Sequence, residues 1–325
     1  MNLGNLNLDG NIFLAPMAGI TDIPYRRIMK RYGAALVYSE MISANGLIRA
    51  GHKTRQLMLS STEEQPLGIQ LFGNDPDTMA EATREATPHA QLIDLNFGCP
   101  AKKVIRTGAG SALMREPERI GQIVAAVRKA TPLPLTVKIR AGWDSTSINY
   151  LEIARLAENE GADAVTLHPR TRSQGFGGKA DWTLIRGLKE AIDIPVIGSG
   201  DIFTPEDGLE MMKTTGCDAI MVGRGSFGNP WLLKNIHQLQ MQLPVKKPSQ
   251  LERYCTLREH YQMFIDCYGP RRAVGHMRKH LAWYARGMNG AAEFRHKINR
   301  VLTPEGVSDA IDDFFGTAGQ KGLPE

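Results

Sequence analysis

The chain has 325 residues, 42% of them apolar and 22% charged, and a formal net charge of +5. That length exceeds one small domain and suits a barrel of about 250 residues with an appendage. No apolar run approaches the ~20 residues that cross a bilayer, the amino terminus lacks the pattern of a secretory signal, and Cys99, Cys217, Cys255 and Cys267 show neither disulfide nor metal spacing. A membrane span and a disulfide scaffold are thereby excluded, and a monomer in the reducing cytoplasm, with no membrane association and no obligate protein partner, is expected.

In chain order, short apolar runs alternate with helical stretches over residues 1–240. The strand candidates are 12–16, 36–40, 68–72, 92–97, 135–139, 164–168, 195–198 and 219–222. Continuous apolar strands with helices between them are buried on both faces, which means parallel pairing, and eight of them predict a (β/α)8 TIM barrel, with an open doubly wound sheet as the alternative. Helix starts support the alternation. Asp22 precedes a helix through Met29, Asp75 precedes one near Met79 to Ala86, and Thr204-Pro205-Glu206 reads as cap, first-turn proline and acid.

Barrel enzymes place their chemistry at the carboxyl ends of the strands. The polar groups found there are Met17 after Pro16, Ser39 with Glu40, Gln70, Asn96 leading to Cys99, Lys138 with Arg140, His168 with Arg170, Ser199-Gly200-Asp201 and Gly223-Arg224. A polar group within a buried strand is costly unless satisfied, so Gln70, Lys138 and His168 point to a ligand. The glycines around Ser199 and Arg224 suit a phosphate on a sugar, a nucleotide or FMN. Lys138 fits either a Schiff base or a hydrogen bond to a flavin edge. Cys99 lies in a Gly-Cys-Pro turn followed by Lys102, Lys103 and Arg106, and those cations are expected to lower the thiol pKa. The competing reading of a lone cysteine is a small buried apolar residue.

Residues 241–325, after the Lys246-Lys247-Pro248-Ser249 linker, read as helices and hold 13 Lys/Arg against 9 Asp/Glu, whereas residues 1–240 hold 26 against 25. Within 271–300 the eight cations face one acid, Glu293, and are interleaved with Trp283, Tyr284 and Phe294. This is the composition of a polyanion-binding surface.

Ala15-Pro16-Met17-Ala18-Gly19-Ile20-Thr21-Asp22, Ser39-Glu40-Met41, Gln70-Leu71, Asn96-Phe97-Gly98-Cys99-Pro100-Ala101-Lys102-Lys103-Val104, Gly110-Ser111-Ala112-Leu113, Lys138-Ile139-Arg140, His168-Pro169-Arg170-Thr171-Arg172, Gly200-Asp201 and Gly223-Arg224-Gly225 follow one another along nearly the whole chain. In that order they resemble the flavin-dependent tRNA-dihydrouridine synthases, most of all the bacterial B-type branch. Pro169 and Ser199 depart from the Gly and Asn frequent in relatives. The resemblance implies an FMN-binding barrel over 1–240 and a helical tRNA-binding domain over 241–325. It also implies reduction of D-loop uridines in tRNA to 5,6-dihydrouridine, with NADPH (or NADH) reducing FMN, hydride passing from FMN to C6, and Cys99 giving the proton to C5. By the same carry-over Pro16, Met17, Ala18, Gln70, Lys138, His168, Ser199, Gly200, Asp201, Gly223 and Arg224 hold FMN, and Asn96, Arg140 and Arg170 face the uridine. Arg271, Arg272, Arg278, Lys279, Arg286 and Arg295 are the expected phosphate contacts. Two alternatives predict other outcomes: an FMN barrel reducing a free pyrimidine has no use for the basic tail, and a non-catalytic tRNA-binding protein keeps its activity in Cys99→Ala.

Overall fold

The computed structural model describes residues 1–49 and 51–316, apart from the Lys53 side chain, so the end of the expected helical domain, 317–325, lies outside the described residues. Eight parallel strands form the ring of the central sheet: β1 (Ile12–Leu14), β2 (Val37–Tyr38), β3 (Leu67–Phe72), β4 (Leu92–Asn96), β5 (Leu135–Arg140), β6 (Ala164–His168), β7 (Val196–Ser199) and β8 (Ala219–Val222); a ninth, two-residue strand, Ile42–Ser43, pairs with the end of β3. Each pairs with its sequence neighbour, β8 returns to β1, and the ring closes where Phe13 bridges Leu36 and Leu14 N donates to Leu36 O at 2.9 Å. This is the expected (β/α)8 barrel, not an open sheet.

Helices α1 (Ile23–Arg31), α2 (Pro76–Ala86), α3 (Pro117–Ala130), α4 (Tyr150–Asn159), α5 (Thr183–Lys189), α6 (Pro205–Thr215) and α7 (Trp231–Gln240) separate the strands and follow the last; two short turns of helix, Ala44–Ile48 and His52–Arg55, fill the place after β2. The expected caps are present. Asp22 accepts from Tyr25 N, Asp75 from Thr78 N, and Thr204 forms a capping box with Asp207. The first two strands are shorter than expected, although Ala15 N still donates to Val222 O and Ser39 N to Gly68 O, each at 2.9 Å.

Alternation along the strands divides the core in two. Phe13, Tyr38, Leu92, Ala164, Ile197, Ala219 and Met221 pack together inside the barrel with Leu3 and Leu8. Their neighbours Ile12, Leu14, Val37, Ile93, Val165, Val196, Ile220 and Val222 pack outward against the helices. A strand with a two-residue side-chain period inside a closed barrel has no solvent face, which accounts for the uninterrupted apolar runs.

Beyond the linker, α8 (Gln250–Tyr268), α9 (Pro270–Tyr284), α10 (Ala291–Ile298) and α11 (Pro304–Ile311) bury a separate apolar core of Leu257, Tyr261, Phe264, Met277, Leu281, Tyr284 and Phe294, to which Trp231 of α7 also belongs. This bundle rests on α1. Tyr32 Oη and Thr256 Oγ1 are 2.8 Å apart, Arg31 pairs with Glu259, and Phe227, past the end of β8, stacks on Trp283 at 4.1 Å. Gly228 is required at that contact. It sits at φ +66, and a Cβ there would lie 2.3 Å from the Trp283 carbonyl carbon.

Candidate active site

A cavity of about 550 Å³ opens at the carboxyl ends of the strands. Its wall includes Pro16, Met17, Ala18, Asn96, Cys99, Lys138, Arg140, His168, Ser199, Gly200, Asp201, Gly223 and Arg224, so residues from six of the eight strand ends converge on one space.

The turn after β4 is built by Asn96. Its Oδ1 accepts from Gly98 N (3.2 Å) and Cys99 N (2.9 Å), and its Nδ2 donates to Gln70 Oε1 at 2.8 Å. Gln70 in turn donates to Asp94 Oδ2, and Thr136 to Asp94 Oδ1, both at 2.5 Å. Gln70 is fully buried and is not among the wall residues, so it reaches the cavity only through Asn96. The Cys99 carbonyl is held from the other side by Ser111 N and Oγ. The thiol is thus fixed in direction, with 9% of the residue exposed.

Burial raises the Cys99 pKa, outweighing the Ala101 N–H and the charges of Arg140 and Lys138, which lower it. The expected depression by Lys102, Lys103 and Arg106 does not occur. All three side chains are exposed, and water screens them from the sulfur.

Lys138, on β5, is driven down to about 8, first by desolvation and then by Arg140, with Asp94 acting against both. It lines the cavity and makes no side-chain hydrogen bond among the described residues. Desolvation raises Asp94 behind it to about 6. Arg140 is anchored through Nε to Gly98 O and through Nη1 to Thr171 O and Gly175 O, each at 2.9 Å.

At the opposite end, Asp201 at φ +56 is saturated. Arg170 donates to both its oxygens (2.9 and 2.6 Å), Arg224 to Oδ1 (3.1 Å) and Ala180 N to Oδ2 (2.8 Å). Arg170 is 1% exposed, bonds Gly177 O and Gly178 O, and lies behind the wall rather than in it. His168 is held at about 2 by burial and by Lys138, Arg140, Arg170 and Arg224, so its imidazole is neutral. Arg170 Nη1 is 3.3 Å from His168 Nε2 and can only donate, which leaves the ring proton on Nδ1. Gly200, at φ +113, passes so close that a Cβ would lie 2.9 Å from His168 Cδ2.

Ile202, Phe203, Phe176 and Phe227, outside the motifs, and Ile20 and Met41, within them but given no role, also line the cavity. Phe176 lies 6.1 Å from the His168 ring and under the Arg224 guanidinium at 4.4 Å, and no periodic signal marks it in its loop.

The basic segment divides. Arg271, Arg272, Arg286 and Arg295 are exposed, whereas Arg278 donates to Val301 O at 2.7 Å and Lys279 donates to Gly19 O. Tyr284 and Phe294, expected on the surface, are core residues of the bundle, and Trp283 is stacked on Phe227. Their interleaving with cations reflects helical periodicity: apolar positions face inward while the cations between them face out.

Residues 13–318 match the family model described as dihydrouridine synthase. The chain is 40% identical over 318 residues to a probable tRNA-dihydrouridine synthase of Rickettsia conorii, covering 97% of this chain and 96% of that one. It is 42% identical over 317 residues to tRNA-dihydrouridine synthase B of Pasteurella multocida, with the same coverage of both. Among solved structures, histamine dehydrogenase from Rhizobium sp. 4-9 superposes with a TM-score of 0.54 at 15% identity over 81% of this chain and 50% of that one, a likeness of barrel fold.

Proposed function

The chain belongs to the dihydrouridine synthase family, and from that premise we propose that it reduces D-loop uridines of tRNA to 5,6-dihydrouridine with FMN in the barrel mouth and NADPH as reductant. The residues present fit a flavin mononucleotide. The cavity is of cofactor size; Lys138 offers an amine in the wall with no hydrogen-bond partner among the described residues; and Ser199, Gly200, Gly223 and Arg224 bring backbone and guanidinium to the phosphate end. Pro16, Met17 and Ala18 supply an apolar wall, and neutral His168 a donor at Nδ1. When bound and reduced, the flavin supplies hydride to uracil C6.

The observation that carries the reading is the Cys99 thiol, aimed by the Asn96 turn and kept protonated by burial. A general acid must hold its proton at working pH and release it on demand. Cys99 delivers that proton to C5 as the C6 hydride arrives, and Ala101 N–H, Lys138 and Arg140 stabilise the thiolate left behind. Arg140 and Asn96 orient the uracil; Gln70 and Arg170 act from behind, positioning Asn96 and Asp201. The barrel over 1–240 is the catalytic domain, and 241–325 the domain that holds tRNA while the target base is flipped into the mouth.

The test is an anaerobic reaction of the flavin-loaded protein with NADPH and unmodified tRNA, read by flavin absorbance and nucleoside mass spectrometry. Dihydrouridine is expected from wild type. A flavin that NADPH reduces, followed by no change in the tRNA, would overturn the substrate assignment.

A further inference from the structure

Away from the cavity, where α1 meets α9, a group of buried polar atoms is left over by the proposed reaction. Asp22 Oδ1 accepts from Tyr25 N at 3.0 Å, but Oδ2 is buried with no hydrogen-bond partner. One turn apart on α9, His276 and His280 face it. His276 Nε2 lies 3.1 Å from Asp22 Oδ2 without the alignment of a hydrogen bond. His280 is fully buried, and neither of its ring nitrogens has a partner. One ligating atom from each of the three falls within 4.8 Å of the others.

Buried polar atoms are nearly always paired, so a carboxylate oxygen and the His280 imidazole that converge without partners call for a further atom between them. A cation with bonds of about 2.0–2.1 Å in tetrahedral geometry holds its donors roughly 3.3 Å apart, close to the separation already present between Asp22 and His276. Two histidines at i and i+4 on one helix face supply a zinc ion with two ligands from a single rigid element. Asp22 is anchored through Oδ1, which leaves Oδ2 free to ligate. Stacking of His276 on Phe264 at 4.7 Å and a tilted contact of Tyr25 with His280 at 5.3 Å orient both rings.

We propose that Asp22, His276 and His280 form a zinc site, with water as the fourth ligand, that ties α9 to the loop between β1 and α1. That loop carries Gly19 and the cavity residues Met17, Ala18 and Ile20, so the ion would fix the helical bundle to one wall of the barrel mouth. His276 is 31% exposed and gives the ion its route in. Burial keeps the His280 imidazole neutral and its lone pair available. One group opposes the ion: Lys279 Nζ donates a hydrogen bond to His276 Nε2 at 3.3 Å, which zinc at that nitrogen would replace. Asp22 and Glu40 offset its charge, and its bond to Gly19 O gives the amine a place outside the coordination sphere.

The experiment treats the full-length protein with a chelator, dialyses it, and titrates with zinc chloride, reading bound zinc per chain by atomic emission and the thermal midpoint in parallel. One zinc per chain and a raised midpoint are expected for wild type. Asp22→Asn and His276→Ala should each lose more than the roughly 10- to 100-fold in affinity that removing an outer-shell partner costs, and Lys279→Met should bind more tightly than wild type. Because His276 is half-exposed, its replacement tests the ligand set even if His280→Ala does not fold. Wild type that takes up no zinc, or zinc bound equally well by His276→Ala, overturns the site. Neither readout depends on tRNA or flavin.

Discussion

At the scale of single residues, what matters is which protonation state the surroundings enforce. Cys99 is buried and its pKa raised, so as an acid it is active across neutral pH and is lost only as pH climbs past the ordinary thiol range. Removing it should lower dihydrouridine formation by about 10²- to 10⁴-fold while NADPH still reduces the flavin; single-turnover kinetics on Cys99→Ala measure both, and an undiminished rate of tRNA reduction would exclude the thiol as acid. Asp94 titrates at about 6 when folded against 3.8 as a free side chain. A raised folded pKa stabilises the protein fully below the unfolded value and loses that contribution as pH rises through the folded one. Two pKa units correspond to about 3 kcal/mol. Urea denaturation between pH 4 and 7 should therefore show a fall in stability that Asp94→Asn flattens.

Elements are held in register by a few fully satisfied contacts. Arg26 of α1 reaches Glu64 before β3 through Nε (2.8 Å) and Nη2 (3.0 Å), and also donates to Thr21 O and Leu59 O. Both side chains are essentially buried, 2% and 0% exposed. Glu64→Gln leaves a buried guanidinium without its charge partner and should cost about 3–5 kcal/mol, visible as a lowered denaturation midpoint; an unchanged midpoint would mean the pair contributes nothing beyond packing. Gly228→Ala forces a methyl into the α9 backbone and should loosen the bundle from the barrel. Faster proteolysis across the 241–249 linker, with the barrel itself intact, is the expected signature.

For the whole molecule, the question is how a cavity sized for a small cofactor meets a large polyanion. The exposed cations Arg271, Arg272, Arg286 and Arg295 lie on the bundle docked beside α1, and the cavity opens at the strand ends. If they hold phosphates, tRNA affinity falls steeply with salt, and Arg271→Ala with Arg272→Ala removes roughly 0.7–0.9 from the log–log slope per lost contact. An equal slope in the double variant would place the tRNA elsewhere. Arg278 and Lys279, bonded to Val301 O and Gly19 O, should change stability more than the salt slope.

The sequence by itself determined the barrel, since eight apolar runs with helices between them have one economical closure, and it ordered the polar strand ends that converge on the cavity. It also marked Asn96 and Cys99, because a turn that aims a side chain is a local matter of Asn, Gly and Pro. Tertiary structure decided the rest, because burial and long-range proximity leave no local pattern. It separated Lys102, Lys103 and Arg106 from the sulfur they follow in sequence and set Lys138 and Arg140 beside it instead. It moved Tyr284 and Phe294 into a core, placed Gln70 and Arg170 behind the wall, and brought Asp22 to His276 and His280 from the far end of the chain. In each case desolvation, which depends on what the fold packs around a group, fixed what that group can do.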